Sequence, residues 1–328
     1  MTDAADGAPA LGASMKWRGP ALKPGVPTVL QVLPSLVTGG VERGACDIAR
    51  AIADAGLNAV VMSAGGPMAD ALVADGLVHV DAPVQSKNPL VIRRNAGRIA
   101  RVAQATGAAL IHARSRAPAW SALWAARRLG LPFVTTFHGT YNFGPGLGGR
   151  LKRRYNGVMA RGDRVIAISR FIAAHIAAHY ADICPPARVR TIPRGIDLAV
   201  FDPADNGPKY VLALRMSWGL DGRIGWPPIV MLPGRLARWK GHDVLIRAMA
   251  QLADKDALCL MVGGGNDAYR AEMEALAASL GIGDRVRFVG DTRAMPAAYE
   301  TADVVVSAST DPGAFGRSRS RRRRCSGR

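Results

Sequence analysis

The sequence predicts an α/β protein made of two tandem, doubly wound domains with parallel sheets. Three observations carry this reading. Short apolar runs of strand length alternate with helical patterns from residue 28 to residue 307. A polar, breaker-rich stretch at 202–208 (Asp-Pro-Ala-Asp-Asn-Gly-Pro) divides the alternation into two series. Finally, 49% of the residues are apolar but only 6% are aromatic, an Ala/Val/Leu/Gly-rich balance that suits helices packed on a sheet.

The first series opens with the strand Thr28-Val29-Leu30-Gln31-Val32-Leu33, a turn at Gly39-Gly40 and a helix from Glu42 to Ala55. Ala59-Val60-Val61-Met62 is the next strand, 67–75 a helix, and Val78-His79-Val80 a third strand. A helix over 90–106 leads to the strand at 109–112, and a helix over 117–129 leads to the strand at 133–137. A helix around 148–160 precedes the strand at 164–168, after which Ser169 is placed to cap a helix over 170–180. A last strand falls near 189–193. In the second series, strands at 228–232, 258–262, 285–289 and 303–307 alternate with helices at 242–252, 267–280 and 294–300. Residues 208–226 show no regular pattern and read as irregular. The expected organisation is a flexible leader over 1–26, one domain over 27–200, a second over 201–317 and an Arg-rich tail over 318–328. Ligands of such sheets bind beyond the carboxyl ends of the strands, so two facing domains would place a site in the cleft between them.

Composition narrows the classes. No apolar run approaches the roughly 20 residues of a membrane span, and the first residues do not read as a signal peptide. Cys46, Cys184, Cys259 and Cys325 are far apart and lack metal-ligand spacing, so they read as small buried residues in a reducing cytoplasm. The six histidines are scattered too, and no metal site is expected. Formal charge is +18; taking away the seven arginines of 317–328 leaves +11 for residues 1–316. That balance favours an anionic partner.

The chemistry concentrates in Gly234-Arg235-Leu236-Ala237-Arg238-Trp239-Lys240-Gly241, between a buried strand and a helix. A glycine-flanked loop with cations at a helix start can hold a diphosphate through side chains and amides together. Taken alone, it also reads as an exposed basic loop. Gly39-Gly40 lies at the same kind of junction, where missing side chains let a phosphate approach the backbone. His138-Gly139 ends another strand, and an imidazole there can hydrogen-bond a ligand in either protonation state. Val262-Gly263-Gly264-Gly265 lacks the later glycine and the acidic residue of a dinucleotide fingerprint. Arg150, Lys152, Arg153, Arg154, Arg161 and Arg164 form a dense basic stretch, readable as a solvated face or as a surface for anionic headgroups or an acidic acceptor.

Taken in order, these motifs resemble those of the family 4 glycosyltransferases. The resemblance rests on Gly39-Gly40-Val41-Glu42-Arg43, His138-Gly139, Ala167-Ile168-Ser169-Arg170-Phe171, Ile192-Pro193-Arg194-Gly195-Ile196-Asp197, Gly234-Arg235 with Lys240-Gly241, Val262-Gly263-Gly264-Gly265, and Met295-Pro296 followed by Tyr299 and Ala302-Asp303-Val304. It implies a GT-B fold and transfer of a sugar from a nucleotide-diphosphate donor to an acceptor hydroxyl with retention, without metal or other cofactor. Carried over by position, it implies that His138 bonds the donor sugar or its phosphate and that Arg235 and Lys240 neutralise the departing diphosphate. Gly39, Gly40, Gly234, Gly263 and Gly264 would then face the donor, and Phe288 and Val289 would line the base pocket. Arg194 stands where the family commonly has Asn, in a segment read as mainly structural. The implied acceptor is a glycan or a lipid-linked sugar, as in surface polysaccharide or lipopolysaccharide synthesis. The implied location is the cytoplasm, with peripheral contact to the anionic membrane face; nucleic acid is not an expected partner. A same-fold nucleotide-sugar epimerase and a non-catalytic nucleotide-sugar or nucleic-acid binding protein remain alternatives.

The end of the sequence departs from that family. Gly313 occupies the place of the first of two glutamates that clamp the donor, and the second place falls at Arg321. Arg-Val-Ala-Val-Glu-Ala-Gln-Ala-Met, encoded with GC-rich codons and stripped of one G, reads Arg-Ser-Arg-Ser-Arg-Arg-Arg-Arg and then Cys or Trp, and residues 317–325 follow that order, ending on Cys325. The expectation is a frameshifted tail and a truncated second domain of poor stability and little or no activity. Resequencing the locus tests it: an intact Val-Ala-Val-Glu frame supports the shift, and a genuine Arg-rich frame removes it.

Overall fold

The computed structural model describes residues 9, 11–37, 39–195, 201, 207–220, 227–254, 256–292 and 294–311. The chain separates into two compact units, Met1–Arg194 and Gly195–Arg328.

The first unit holds an eight-stranded sheet in the order β1-β4-β3-β2-β5-β6-β7-β8. The strands are β1 (Lys16–Arg18), β2 (Thr28–Val32), β3 (Asn58–Ser63), β4 (Val78–Asp81), β5 (Ala108–Ala113), β6 (Phe133–Phe137), β7 (Arg164–Ala167) and β8 (Val189–Thr191). β2 to β8 pair in parallel, whereas β1 joins the edge antiparallel to β4. The helices are α1 (Gly40–Asp54), α2 (Pro67–Ala74), α3 (Pro89–Ala105), α4 (Arg116–Leu129), α5 (Gly146–Asn156) and α6 (Arg170–Tyr180). Every residue of β3 is buried, as a parallel strand covered on both faces requires. α1 sets Gly44, Ala45, Cys46 and Ala49 against that sheet, and such small side chains let a helix come close. The Ser169 hydroxyl accepts a hydrogen bond from Ile172 N at 3.2 Å, so the predicted cap of α6 is present.

The second unit holds four parallel strands in the order β11-β10-β9-β12. They are β9 (Ile229–Pro233), β10 (Leu258–Val262), β11 (Val286–Gly290) and β12 (Val304–Val305). Around them run α7 (Pro208–Ser217), α8 (His242–Gln251), α9 (Asp267–Ser279) and α10 (Met295–Thr301). One apolar cluster packs α8 and α9 on the sheet through Leu245, Ile246, Met249, Tyr269 and Met273. Another packs Phe201, Ala298 and Tyr299 on Met231 and Leu260.

Four expectations need correction. Residues 11–26 are not a loose leader: Leu11 and Met15 are buried, β1 pairs with β4, and the Asn58 side chain bonds the backbone of Lys23 and Val26 at 2.9–3.1 Å. The signals were too short to register as an element. Residues 208–217, read as irregular, form α7, whose weak amphipathicity hid it; Pro208 sits at its start, where a missing N–H costs nothing. The last strand is two residues long instead of five; it pairs with β9 at the edge of the sheet, with Val304 exposed. The basic helix also ends at Asn156 and gives way to a 3-10 turn over Gly157–Arg161. Cys46, Cys184 and Cys259 are buried free thiols, whereas Cys325, Gly313, Arg321 and the tail 318–328 lie outside the described residues.

Candidate functional site

In the first unit, strand order reverses at β2, which has β3 on one side and β5 on the other. Loops leaving the carboxyl ends at such a reversal form a crevice suited to ligands. Gly39 and Gly40 follow β2 there, and both are exposed. Gly39 has φ +136°, where a side chain is strained, and an added Cβ would also run into the Glu42 carboxylate. Beneath this turn Arg114 is buried after β5 and donates to Gln31 Oε1 at 3.1 Å, while Gln31 in turn donates to the Ala45 carbonyl at 3.2 Å.

His138 is half-buried and follows β6 directly. Its backbone N–H donates to the Tyr141 hydroxyl at 3.4 Å. Tyr141 has φ +43°, uncommon for a residue with a side chain and of the kind that gathers at functional loops. Several contacts hold it there. The Arg116 guanidinium lies 4.5 Å from its ring centroid, Phe137 packs at 5.3 Å, and Asn156 Nδ2 donates to its carbonyl at 2.9 Å. Arg116 also donates to Asn156 Oδ1 at 2.9 Å. Burial pushes the Tyr141 phenol upward, against the smaller opposing pull of the His138 N–H, Arg116 and Arg194.

Arg194 ties this region together. Its Nη1 donates to the Gly40 carbonyl at 2.8 Å, and its Nη2 meets His138 Nδ1. A Cβ on Gly40 would come within 3.0 Å of Arg194 Nη1, so the glycine also makes room for this guanidinium. The segment read as mainly structural thus reaches two of the predicted site residues. The departure from Asn was the available signal; neither Tyr141 nor Arg116 had one.

In the second unit the strand order reverses at β9, between β10 and β12. The loop leaving β9 carries Gly234, Arg235, a 3-10 turn over Arg238–Lys240, and Gly241. It is fastened to the stretch after β12: Thr310 N donates to the Trp239 carbonyl at 3.0 Å, and a Cβ on Gly241 would strike the Ala308 carbonyl. On its other side it meets the glycine turn after β10. Gly234 N donates to Val262 O at 2.8 Å and Leu236 N to Gly264 O at 2.9 Å. Gly263 has φ +148°, and a Cβ there would strike the Gly234 carbonyl, so close approach of the two loops requires glycine.

Arg235 is exposed and Lys240 half-buried, with its Cδ and Cε 3.5 Å from where a Gly234 Cβ would stand. Lys240 Nζ lies 4.4 Å from the Trp239 ring centroid. Burial, and then the charge of Arg235, hold the Lys240 ammonium below its ordinary range. Two cations held together against desolvation and mutual repulsion are stabilised when an anion joins them. Arg238 is engaged elsewhere, in a two-point contact with Glu272 at 2.6 and 2.8 Å. Phe288 on β11 is half-buried with the Arg270 guanidinium 5.7 Å from its ring, and Val289 is half-buried beside it. Among the described residues no group of three or more His, Cys, Asp or Glu side chains is arranged to hold a metal ion.

Glycine turns at the strand ends of both parallel-sheet units, with paired cations in the second, are features common among proteins that bind anionic ligands of the nucleotide kind. Comparison with known proteins narrows the class. The model described as Glycosyltransferase Family 4 matches residues 38–200, and that described as Glycosyl transferases group 1 matches residues 222–318. The chain belongs to the family 4 glycosyltransferases and has their GT-B fold of two Rossmann-like domains. A D-inositol 3-phosphate glycosyltransferase from Salinispora tropica is 37% identical over 167 residues, which are 45% of this chain and 32% of that protein. The aligned part thus spans about a third of that relative's length. A solved glycosyltransferase from Rickettsia africae is 32% identical with a TM-score of 0.79, over 92% of this chain and 78% of that one. HepE of Anabaena, solved with UDP and glucose, shares the fold at a TM-score of 0.74 and 24% identity, over 90% of this chain and 78% of that one.

Proposed function

We propose that the chain transfers a sugar from a nucleotide-diphosphate donor to an acceptor hydroxyl, with retention and without a metal or other cofactor. The observation that carries this reading is the loop after β9, which sets Arg235 and Lys240 together at the reversal of strand order in the second unit. As the glycosidic bond breaks, negative charge grows on the departing diphosphate, and preorganised cations stabilise that charge more than they stabilise the bound donor. In this reading His138 bonds the donor sugar or its phosphate, and the Gly39–Gly40 turn offers amides. Gly234, Gly263 and Gly264 allow close approach of the loops, and Phe288 and Val289 stand beside the base. No protein general base is assigned: attack from the face of the leaving phosphate lets that phosphate take the acceptor proton.

The acceptor in this proposal is a glycan or lipid-linked sugar of a surface polysaccharide or lipopolysaccharide. A phosphorylated polyol enters beside it because the Salinispora relative is named for one. Peripheral attachment to an anionic membrane face is assigned to α5, where Leu147 and Leu151 are exposed one turn apart among Arg150, Lys152 and Arg154. No helix among the described residues is long and apolar enough to cross a membrane. The test is a panel of nucleotide sugars screened by thermal shift, followed by donor turnover with Arg235→Ala and Lys240→Ala. Each substitution is expected to lower turnover by roughly a hundredfold, about 3 kcal/mol of barrier. If no nucleotide sugar raises Tm, or if both variants turn over like the parent, the proposal fails.

A further inference from the structure

Arg194 is joined to two strand-end loops far from it in sequence, and the chemistry of those contacts says more than their existence. A guanidinium has five N–H groups and no acceptor, so a group it hydrogen-bonds must offer a lone pair. The Gly40 carbonyl does so at 2.8 Å. At His138 the atom facing Arg194 Nη2 is Nδ1. A proton on Nδ1 would set N–H against N–H, whereas an unprotonated Nδ1 accepts. The other ring nitrogen must then carry the hydrogen of the neutral imidazole. Two further contacts fix the backbone that carries the ring: the His138 main-chain N–H donates to the Tyr141 hydroxyl, and Tyr141 is itself pinned by Arg116 and Asn156.

We propose that Arg194 is a positioning residue that fixes His138 in the Nε2–H tautomer while anchoring the Gly40 end of the glycine turn. His138 then meets a ligand only as a hydrogen-bond donor. It holds an oxygen of the donor sugar or its phosphate, and it does not accept the proton of the attacking hydroxyl. This deepens the glycosyltransferase reading and rests on it for the identity of that oxygen. The tautomer itself belongs to the protein without ligand.

The experiment uses the full chain carrying 15N-labelled histidine, with the His138 resonances assigned by their loss in His138→Gln. The expected result without any donor is a pyridine-like Nδ1 signal and a pyrrole-like Nε2 signal for His138. In Arg194→Met, both signals should move toward the averaged positions of exchanging tautomers. A pyrrole-like Nδ1 in the parent protein overturns the proposal, and so does an unchanged His138 spectrum in a folded Arg194→Met. If that variant does not fold, the parent spectrum still decides. UDP-glucose and GDP-mannose turnover form a separate arm. Absence of turnover with every donor tried would remove the functional reading and leave the tautomer standing. With turnover, Arg194→Met is expected to lower kcat about ten- to hundredfold, the range for losing an orienting partner of a functional histidine. An unchanged kcat overturns the positioning role.

Discussion

Acid should open the first unit through one buried residue. His79 lies on β4 with no exposed surface, between β3 and β1. Its Nε2 is 2.9 Å from Ser63 Oγ, and that oxygen already accepts the Gly65 N–H at 3.1 Å. The Asp81 carboxylate, with Oδ1 3.3 Å from Nδ1, favours the histidine proton on that nitrogen, and the Ser63 hydroxyl then donates to Nε2. Burial lowers the His79 pKa from 6.5 to about 4 and outweighs the attraction of Asp81; nearby Arg18 lowers it further, and Asp70 opposes. The sign follows from proton linkage. Between pH 6.5 and 4 the unfolded chain binds a proton at this residue and the folded chain does not, so stability falls as pH falls through that window. At ~1.4 kcal/mol per pH unit, the loss approaches about 3 kcal/mol at the lower end. Amide hydrogen exchange in β3 and β4 reads this opening in the intact chain. His79→Gln cannot titrate, and other groups cancel when parent and variant are compared at each pH. The parent's advantage over the variant should therefore shrink by about 3 kcal/mol from pH 7 to pH 4. A difference that stays flat across this range would refute the argument.

Three further outcomes follow from the packing. Gly241→Ala forces a Cβ into the Ala308 carbonyl at φ +70°, and should cost at least about 2 kcal/mol, seen as a Tm fall of several degrees. Gly148→Ala, on an open face of α5, is its control and should leave Tm essentially unchanged. Ser169→Ala removes the cap of α6 and should cost about 1 kcal/mol in chemical denaturation, with Ser169→Gly costing less. Arg238→Ala breaks the contact with Glu272, but both side chains are well exposed, so Tm should move by less than about 2 °C.

What was legible in the sequence was whatever local pattern specifies. β3 and β10 are buried runs flanked by breakers, and their neighbours follow the alternation that predicts a parallel sheet. The cap at Ser169 could be read from one residue type at one position. β1 could not be read, because three residues of edge strand carry no periodicity and are held by partners 60 or so positions away. α7 was hidden because its exposed Tyr210, Leu212 and Met216 blur any contrast between faces. In the candidate site, the glycines and cations after strands were visible as motifs. The meeting of Arg194 with Gly40 and His138 was not, since it depends on where β8 falls in the sheet relative to β2 and β6. Tyr141 was invisible for a different reason: nothing in its type announces a positive φ.

The glycine turns of the second unit suggest phosphate held by backbone amides, yet the hydrogen bonds divide the labour otherwise. Gly263 N donates to Gly290 O at 2.8 Å, and Gly264 N to Asp291 Oδ1 at 2.8 Å. Gly234 and Leu236 give their N–H groups to Val262 and Gly264, and Lys240 and Gly241 give theirs within the 3-10 turn. These amides are occupied in joining three strand-end loops into one rigid surface. Their glycines serve close packing, since a Cβ at 263, 264 or 265 would collide with Gly234, Asp291 or Leu236 respectively. In the proposed reading, neutralising an anion at this surface falls to side chains, above all to Arg235 and to Lys240, whose charge is already disfavoured by burial. In that reading the glycines build the platform, and the cations supply the chemistry.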